Sequence, residues 1–244
     1  MKVLGIIPAR YNSSRFPGKP IHKINGKPMI WWVYQQAIKV NLISDVIVAT
    51  DNDLVINVCN EYGIHSILTD TCHPTGTDRV CEISEKIKAD LYVNIQGDEP
   101  IIEPHTIEKV IEPFSTKNNI QVVNLMTEIK RPIDIINYNI PKVVTDNNNW
   151  GIFLSRSPIP YPKNHNHCKY YRQLGIYGFT PEALAFFKKC KRGKNEMIED
   201  IEILRFIEYK FPVYFRNVVT KSISVDTKND LFRVEEFLKN DYNS

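Results

Sequence analysis

The chain alternates two kinds of apolar spacing over its first half. Val3 to Ile7 is a continuous apolar run, the pattern of a strand buried on both faces; Val46-Ile47-Val48-Ala49-Thr50-Asp51 reads as a second buried strand ending in polar residues, His65 to Leu68 as a short third strand, and Leu91 to Ile95 and Val122 to Leu125 as further strands. Between these runs the apolar positions fall at helical intervals. Met29, Ile30, Val33, Ala37 and Val40 mark one helix, and further helices are predicted over Leu54 to Tyr62, Thr77 to Ile87 and His105 to Phe114. Asp51 or Asn52 can cap the second helix and Gly63 can stop it. Strand and helix in strict alternation predict an α/β fold: a mostly parallel sheet with helices on both faces and the polar strand ends along one edge.

The rhythm breaks after about residue 128. Prolines at 132, 141, 158, 160, 162 and 181 interrupt the pattern. Short strands are expected at Lys142 to Thr145, Trp150 to Ser155 and Leu174 to Phe179, joined by long loops. Periodicity then predicts one helix over Glu196 to Lys210, a strand over Val213 to Val219, and another, Ser222 to Thr227, ending on Asp226. Thr227 is placed to cap a last helix running through Leu238. The expected organisation is a core over 1–127, an inserted smaller antiparallel region over 128–195, and a return to the core over 196–244.

Composition narrows the functional classes. The chain has 244 residues, 43% of them apolar and 24% charged, ordinary for a globular protein. A net charge of +3 is too weak to argue for nucleic acid, so the cations are judged by where they cluster. No apolar run approaches the length of a membrane span, and Met1 to Leu4 runs straight into a strand with no leader-like segment, so a cytoplasmic protein is expected. The five cysteines include no C-x-x-C pair, and disulfides are not expected.

The cations cluster after the first strand. Arg10, Arg15 and Lys19 share a loop with Ser13, Ser14, Pro8, Pro17, Gly18 and Pro20, residues unsuited to continuous helix. This is neither a Walker loop nor a G-x-G-x-x-G turn. A polyanion would here be held by guanidinium forks, an ammonium and loop amides. Three more polar segments end on the same predicted rim: Thr50-Asp51, His73 to Arg79, and Gln96-Gly97-Asp98-Glu99-Pro100. Gly76 allows close backbone approach, and Thr75 and Thr77 offer hydroxyls or a helix cap. Asp98 and Asp226, each at a predicted strand end, could share Mg²⁺, which takes one or two carboxylates and leaves room for phosphate oxygens. His165, His167 and Cys168 do not have structural zinc spacing, and Trp31 and Trp32 read as core.

These residues carry a resemblance. Ile7-Pro8-Ala9-Arg10-Tyr11, Pro17-Gly18-Lys19-Pro20, Asn25 to Ile30, Val48 to Asp51, Gly76-Thr77-Asp78-Arg79, Val93 to Pro100, Ser155-Arg156, Leu174 to Gly178 and Val225-Asp226-Thr227 occur in order. From about residue 2 to 238 the chain resembles the 3-deoxy-manno-octulosonate (Kdo) cytidylyltransferases, the CMP-Kdo synthetases. The resemblance implies transfer of CMP from CTP to the 2-hydroxyl of Kdo or a related 3-deoxy-2-ulosonic acid, with release of pyrophosphate, for lipopolysaccharide or capsule synthesis. It implies a Mg²⁺ cofactor on Asp98 and Asp226, and a homodimer formed through the inserted region. Arg15, Lys19, Asp98 and Asp226 would carry the catalysis. Pro8, Ala9, Arg10, Ser13, Arg15, Lys19, Ala49, Asp51, Gly76, Thr77 and Arg79 would hold the nucleotide, and Gln96, Arg156, Gln173, Tyr177, Glu202 and Ile203 would face the sugar acid. Two positions depart from the family pattern: Gln173 replaces a histidine, and Ile203 replaces the glutamine of Glu-Gln-Leu-Arg. Both changes lie in the family's sugar pocket, so the same chemistry on a different acidic acceptor stays open, as does nucleotide binding without catalysis.

Overall fold

The structure is a computed structural model, and it describes residues 1–11, 16–117, 119–164, 168–225 and 227–241. Two compact units divide the chain: Met1–Glu108 with Thr220–Ser244, and Lys109–Val219. The composition break expected near 128 is thus displaced from the break in compactness.

The first unit opens with β1 (Val3–Ala9), followed by a single 3-10 turn (Lys19–Ile21) and a hairpin of β2 (Lys23–Ile24) and β3 (Lys27–Pro28). There follow α1 (Met29–Ala37), β4 (Asp45–Thr50), α2 (Asp53–Glu61), β5 (Ser66–Leu68), α3 (Gly76–Lys86), β6 (Leu91–Ile95) and the start of α4 (Pro104–Thr116). Every residue of β1 and of β6 is buried. That accounts for their unbroken apolar runs, since a parallel strand covered on both faces has no side to leave polar.

The strands lie parallel in the order β6-β1-β4-β5. The chain winds outward from β1 through β4 to β5, then returns to the other side of β1 as β6. Strand order therefore reverses between β1 and β6, and open α/β sheets bind ligands at the carboxyl ends flanking such a reversal. Asn52 caps α2 through its side chain, with a bond from the Leu54 amide at 2.9 Å. Gly63 follows that helix with φ at +65°. A second core joins Phe16, Ile24, Met29, Trp32 and Ile101 to Val225, Leu231, Val234 and Leu238, so the carboxyl-terminal segment packs back onto the first unit. Trp32 lies in this core and donates its indole N–H to the Ile24 carbonyl at 2.9 Å.

The second unit holds β7 (Val122–Glu128), α5 (Pro132–Ile135), β8 (Lys142–Thr145), β9 (Gly151–Ser155), β10 (Tyr171–Phe179), α6 (Pro181–Lys189), α7 (Lys194–Glu199), α8 (Leu204–Glu208) and β11 (Tyr214–Asn217). β10 runs antiparallel to β7 and β8, β8 is antiparallel to β9, and β11 is parallel to β7. The chain ends with α9 (Lys228–Asp241), in the first unit.

Two sequence expectations are corrected. The single helix over Glu196 to Lys210 is two helices, broken at Asp200 in the left-handed region with φ at 51°. The break lets Glu196 meet Arg205, whose guanidinium grips it at 2.9 and 2.7 Å with both residues buried. On one straight helix, nine residues would hold them roughly 13 Å apart along the axis. Ser222 to Val225 is irregular rather than a strand. Its place is fixed by single bonds, including Val225 N–H to the Asp98 carbonyl at 2.9 Å.

Candidate active site

The rim of the first unit is built where β1 and β6 end. Gly97 follows β6 in a turn, and a Cβ there would stand 2.9 Å from the Pro8 carbonyl oxygen. Only glycine lets the two strand ends come this close. The turn then directs Asp98 to Lys19, whose ammonium donates to the Asp98 carboxylate at 2.7 Å and to the Val225 carbonyl at 2.9 Å. Their side chains are 14% and 22% exposed, so this ion pair sits in a recess rather than on open surface. Gly18 supports the approach to Lys19. Its φ is +70°, and its amide donates to the Tyr11 carbonyl at 2.9 Å.

The adjoining wall comes from β4 and α3. Thr75 and Asp78 form a reciprocal capping box at the start of α3. Gly76 packs close to Pro8 and to the Gln96 side chain, which a Cβ would meet at 3.3 Å. Arg79 is fully buried. It donates to Asp51 at 2.5 Å, to the Thr69 hydroxyl at 2.7 Å and to the Asp70 carbonyl at 3.1 Å. The sequence placed Arg79 and Asp51 against the nucleotide; in the structure they engage each other, and the buried guanidinium braces the wall from behind. Ala49 and Thr77 are likewise buried, and with Pro8 and Ala9 they form the packed backing of the rim. Arg10 is exposed, with a long 3.5 Å contact to the Pro74 carbonyl. Ser13, Arg15, Asp226, His165 and His167 lie outside the described residues. Val225, the residue before Asp226, is bonded to the Asp98 backbone.

The predicted sugar-facing residues other than Gln96 belong to the second unit. β10 shifts register between Gln173 and Tyr177 against β7, which leaves strand carbonyls without ladder partners. Asn124, buried in β7, supplies them: its amide nitrogen donates to the Leu174 and Ile176 carbonyls at 2.9 and 2.8 Å. That fixes its oxygen as the acceptor for the Gln173 amide at 2.8 Å. Gln173 is thus held by its own strand neighbourhood, and Tyr177, 5% exposed, follows four residues on in β10, paired with Asn124. Arg156 spends its guanidinium on the carbonyls of Tyr138, Glu199 and Asp200, at 3.0, 2.5 and 3.0 Å. Glu202 is half-buried. Ile203 is 1% exposed, an aliphatic side chain withdrawn into the core rather than placed on a surface.

The comparisons with known proteins agree with one another. The cytidylyltransferase family model matches residues 4–223. The chain belongs to the cytidylyltransferase family. It is 39% identical over 240 residues to the 3-deoxy-manno-octulosonate cytidylyltransferase of Fusobacterium nucleatum, covering 98% of each chain. It is 39% identical over 249 residues to the protein of that name from Geobacter metallireducens, again covering 98% of each. A solved structure of CMP:2-keto-3-deoxy-manno-octonic acid synthetase complexed with CTP superposes with a TM-score of 0.92 at 34% identity, covering 99% of this chain and 100% of that one.

Several residues that organise this cytidylyltransferase escaped sequence reading. Glu99 is 2% exposed and accepts from the Ser222 hydroxyl at 2.5 Å, and Glu103 accepts from Thr220 at 3.3 Å. Both acids secure the irregular 220–225 segment. Glu99 stands in the Gln-Gly-Asp-Glu-Pro run, and an acid flanked by Asp98 and Pro100 gave no separate signal. Lys142 is buried with its ammonium on the Asn137, Ile140 and Arg156 carbonyls. Desolvation holds its pKa below the usual lysine value. No local pattern reveals such a lysine, because its partners are backbone atoms. All five cysteines are free, and burial pushes the Cys59 thiol up to about 11, which keeps it inert.

Proposed function

We propose that this cytidylyltransferase transfers CMP from CTP to the 2-hydroxyl of Kdo, or of a closely related 3-deoxy-2-ulosonic acid, and releases pyrophosphate. The carrying observation is full-length identity of 39% to a 3-deoxy-manno-octulosonate cytidylyltransferase, together with the 0.92 superposition on a CTP-bound synthetase. The rim between β1 and β6 supports the donor half of the reading. It offers Arg10 and Lys19 to phosphates, and a carboxylate in a recess beside Lys19.

The site fits a magnesium ion. Asp98 is a hard oxygen donor in a partly buried turn, already paired with the Lys19 ammonium, and these features support the magnesium reading. Asp98, with Asp226 from the segment after Val225, would hold the metal. Bound there, magnesium would neutralise phosphate oxygens and favour ionisation of the sugar hydroxyl. Released from Asp98, Lys19 could turn to the phosphates. With Arg10 and Arg15 it would orient the triphosphate and stabilise charge on the departing pyrophosphate. The chain's own contribution is positioning and electrostatics. None of the described side chains on the rim is singled out as a dedicated base.

Gln173 favours keeping a second acceptor in view. Its amide is oriented by Asn124, so it meets a ligand with a fixed polarity where the family pattern has histidine. A hydrogen-bonding change of this kind can shift discrimination between acceptors by orders of magnitude. The same reading includes a homodimer. Ile136, Tyr138, Met197 and Ile198 of the second unit are 66%, 71%, 57% and 69% exposed, an apolar display suited to a partner surface. No described helix is long and apolar enough to cross a membrane. The proposed setting is cytoplasmic, feeding lipopolysaccharide or capsule synthesis, with no nucleic-acid partner. CTP with a panel of ulosonic acids, followed by pyrophosphate release, tests the reading. Turnover confined to Kdo supports it, turnover on another acid moves the acceptor, and CTP binding without turnover on any acid refutes it.

A further inference from the structure

The loop leading into α3 is bound along one face of that helix. Arg79, Glu82 and Lys86 recur at helical spacing and all reach back to it. Arg79 holds Thr69 and Asp70, and Lys86 donates to the Leu68 carbonyl at 3.3 Å. Glu82 is the centre. One carboxylate oxygen accepts the Asp70 amide at 2.9 Å and meets His73 Nε2 at 2.6 Å, and the other accepts Lys86 at 2.6 Å. Asp70 in turn accepts the Cys72 amide at 2.9 Å, which tightens the loop before the Thr75–Asp78 cap. Burial alone would raise the Glu82 pKa, but the bonds from Lys86, the Asp70 amide and His73 outweigh it and place the carboxyl at about 2. An ionised carboxylate only accepts, so His73 carries its proton on Nε2.

We propose that Glu82 is a positioning residue of the nucleotide site: by gathering the Asp70 amide, His73 and Lys86 it seats the 69–75 loop and sets where the first turn of α3 begins. That turn brings Gly76 against Pro8 and Gln96 on the rim. Glu82 acts through the loop and touches no ligand. The inference rests on the reading of this rim as the CTP site.

The test is CTP affinity by calorimetry on the full chain, with hydrogen exchange at the Asp70 amide, in the native sequence, Glu82→Ala and Glu82→Gln. Glutamine keeps the length of the side chain but accepts through one atom, so it cannot hold Lys86 and the Asp70–His73 pair together. Glu82→Ala should weaken CTP binding about ten-fold, inside the roughly hundred-fold that a 1 Å displacement can cost. The Asp70 amide should lose protection, and turnover at saturating CTP should stay within about two-fold of native. Glu82→Gln should fall between, and it keeps the test open if the alanine variant does not fold. Native CTP affinity in a folded variant whose Asp70 amide has lost protection overturns the inference alone. A native chain that does not bind CTP overturns the nucleotide reading and this inference with it.

Discussion

The Gly97→Ala substitution probes the geometry on which the site depends. The new methyl would stand 2.9 Å from the Pro8 carbonyl oxygen, closer than a Cβ normally approaches backbone. Relief requires about half an ångström of movement between the ends of β1 and β6, because ordinary contact begins at roughly 3.4 Å. Neither end can give cheaply: every residue of both strands is buried and β1 is laddered to β4 and β6 on its two sides. Overpacking of this kind costs about 1–3 kcal/mol. For a chain of this size that lowers Tm by roughly 2–12 °C. The displaced turn carries Asp98, so turnover should fall more than stability, by up to about a hundred-fold. Gly76→Ala is the control. Its methyl would meet the movable end of Gln96 at 3.3 Å and Pro8 at 3.5 Å, and Tm should stay within about 2 °C of native. Thermal unfolding and pyrophosphate release on both variants decide the matter. A native-like Gly97→Ala, or a Gly76→Ala that is the less stable of the two, would refute the reasoning.

Three further outcomes are expected. Asp98→Asn keeps the shape of the Lys19 contact but removes the charge, so kcat should drop by about 10²–10³ with Tm nearly unchanged, and near-native kcat would sink the carboxylate's assignment. Arg205→Met takes away two of the bonds to the buried Glu196 carboxylate and leaves it Arg192 and the Gly193 amide, both at 3.1 Å, so it should cost about 1.5–3 kcal/mol by denaturant unfolding, with part recovered when Glu196→Gln is added; a loss below about 1 kcal/mol, or no recovery, would count against the pair. Glu82 has a folded pKa of about 2 against an ordinary 4.5, so the stability it contributes is fully present above pH 4.5 and is lost as pH falls toward 2. The Tm gap between native chain and Glu82→Gln should therefore close across that range, and a gap that does not narrow there would contradict the network.

The sheet of the first unit was legible because burial on both faces leaves a continuous signal. Val3 to Ile7, Val46 to Ala49 and Leu91 to Ile95 contain almost nothing polar, and all are strands. The helix over Glu196 to Lys210 misled because its apolar spacing continues across Asp200. The break is enforced by a partner nine residues away rather than by a proline or glycine. Ser222 to Val225 misled in the opposite way. Its alternation imitates a strand, but the Val225 amide bonds to Asp98 and the Ser222 hydroxyl to Glu99, while Glu103 holds Thr220 just before it. Partners that distant in sequence leave no local trace.

The same distinction separates residue type from residue duty within the candidate site. Arg79 and Lys19 are both cations of the predicted rim, and the resemblance implies that both help hold the nucleotide. The structure sets them apart by what surrounds them. Arg79 is sealed behind the rim with Asp51, Thr69 and the Asp70 carbonyl, and withdrawing it would leave Asp51 without its guanidinium and a buried charge unpaired. Lys19 is bound to a carboxylate that stays partly open to the recess, where a charged ligand can replace one ionic partner with another. Exchangeable pairing suits a residue that meets substrate, and sealed pairing suits one that holds the wall. A nucleotide that draws Lys19 from Asp98 should therefore leave the Arg79–Asp51 contact intact. Side-chain NMR with CTP present would show a shifted Lys19 ammonium and an unshifted Arg79 guanidinium, and movement of both signals would refute the division.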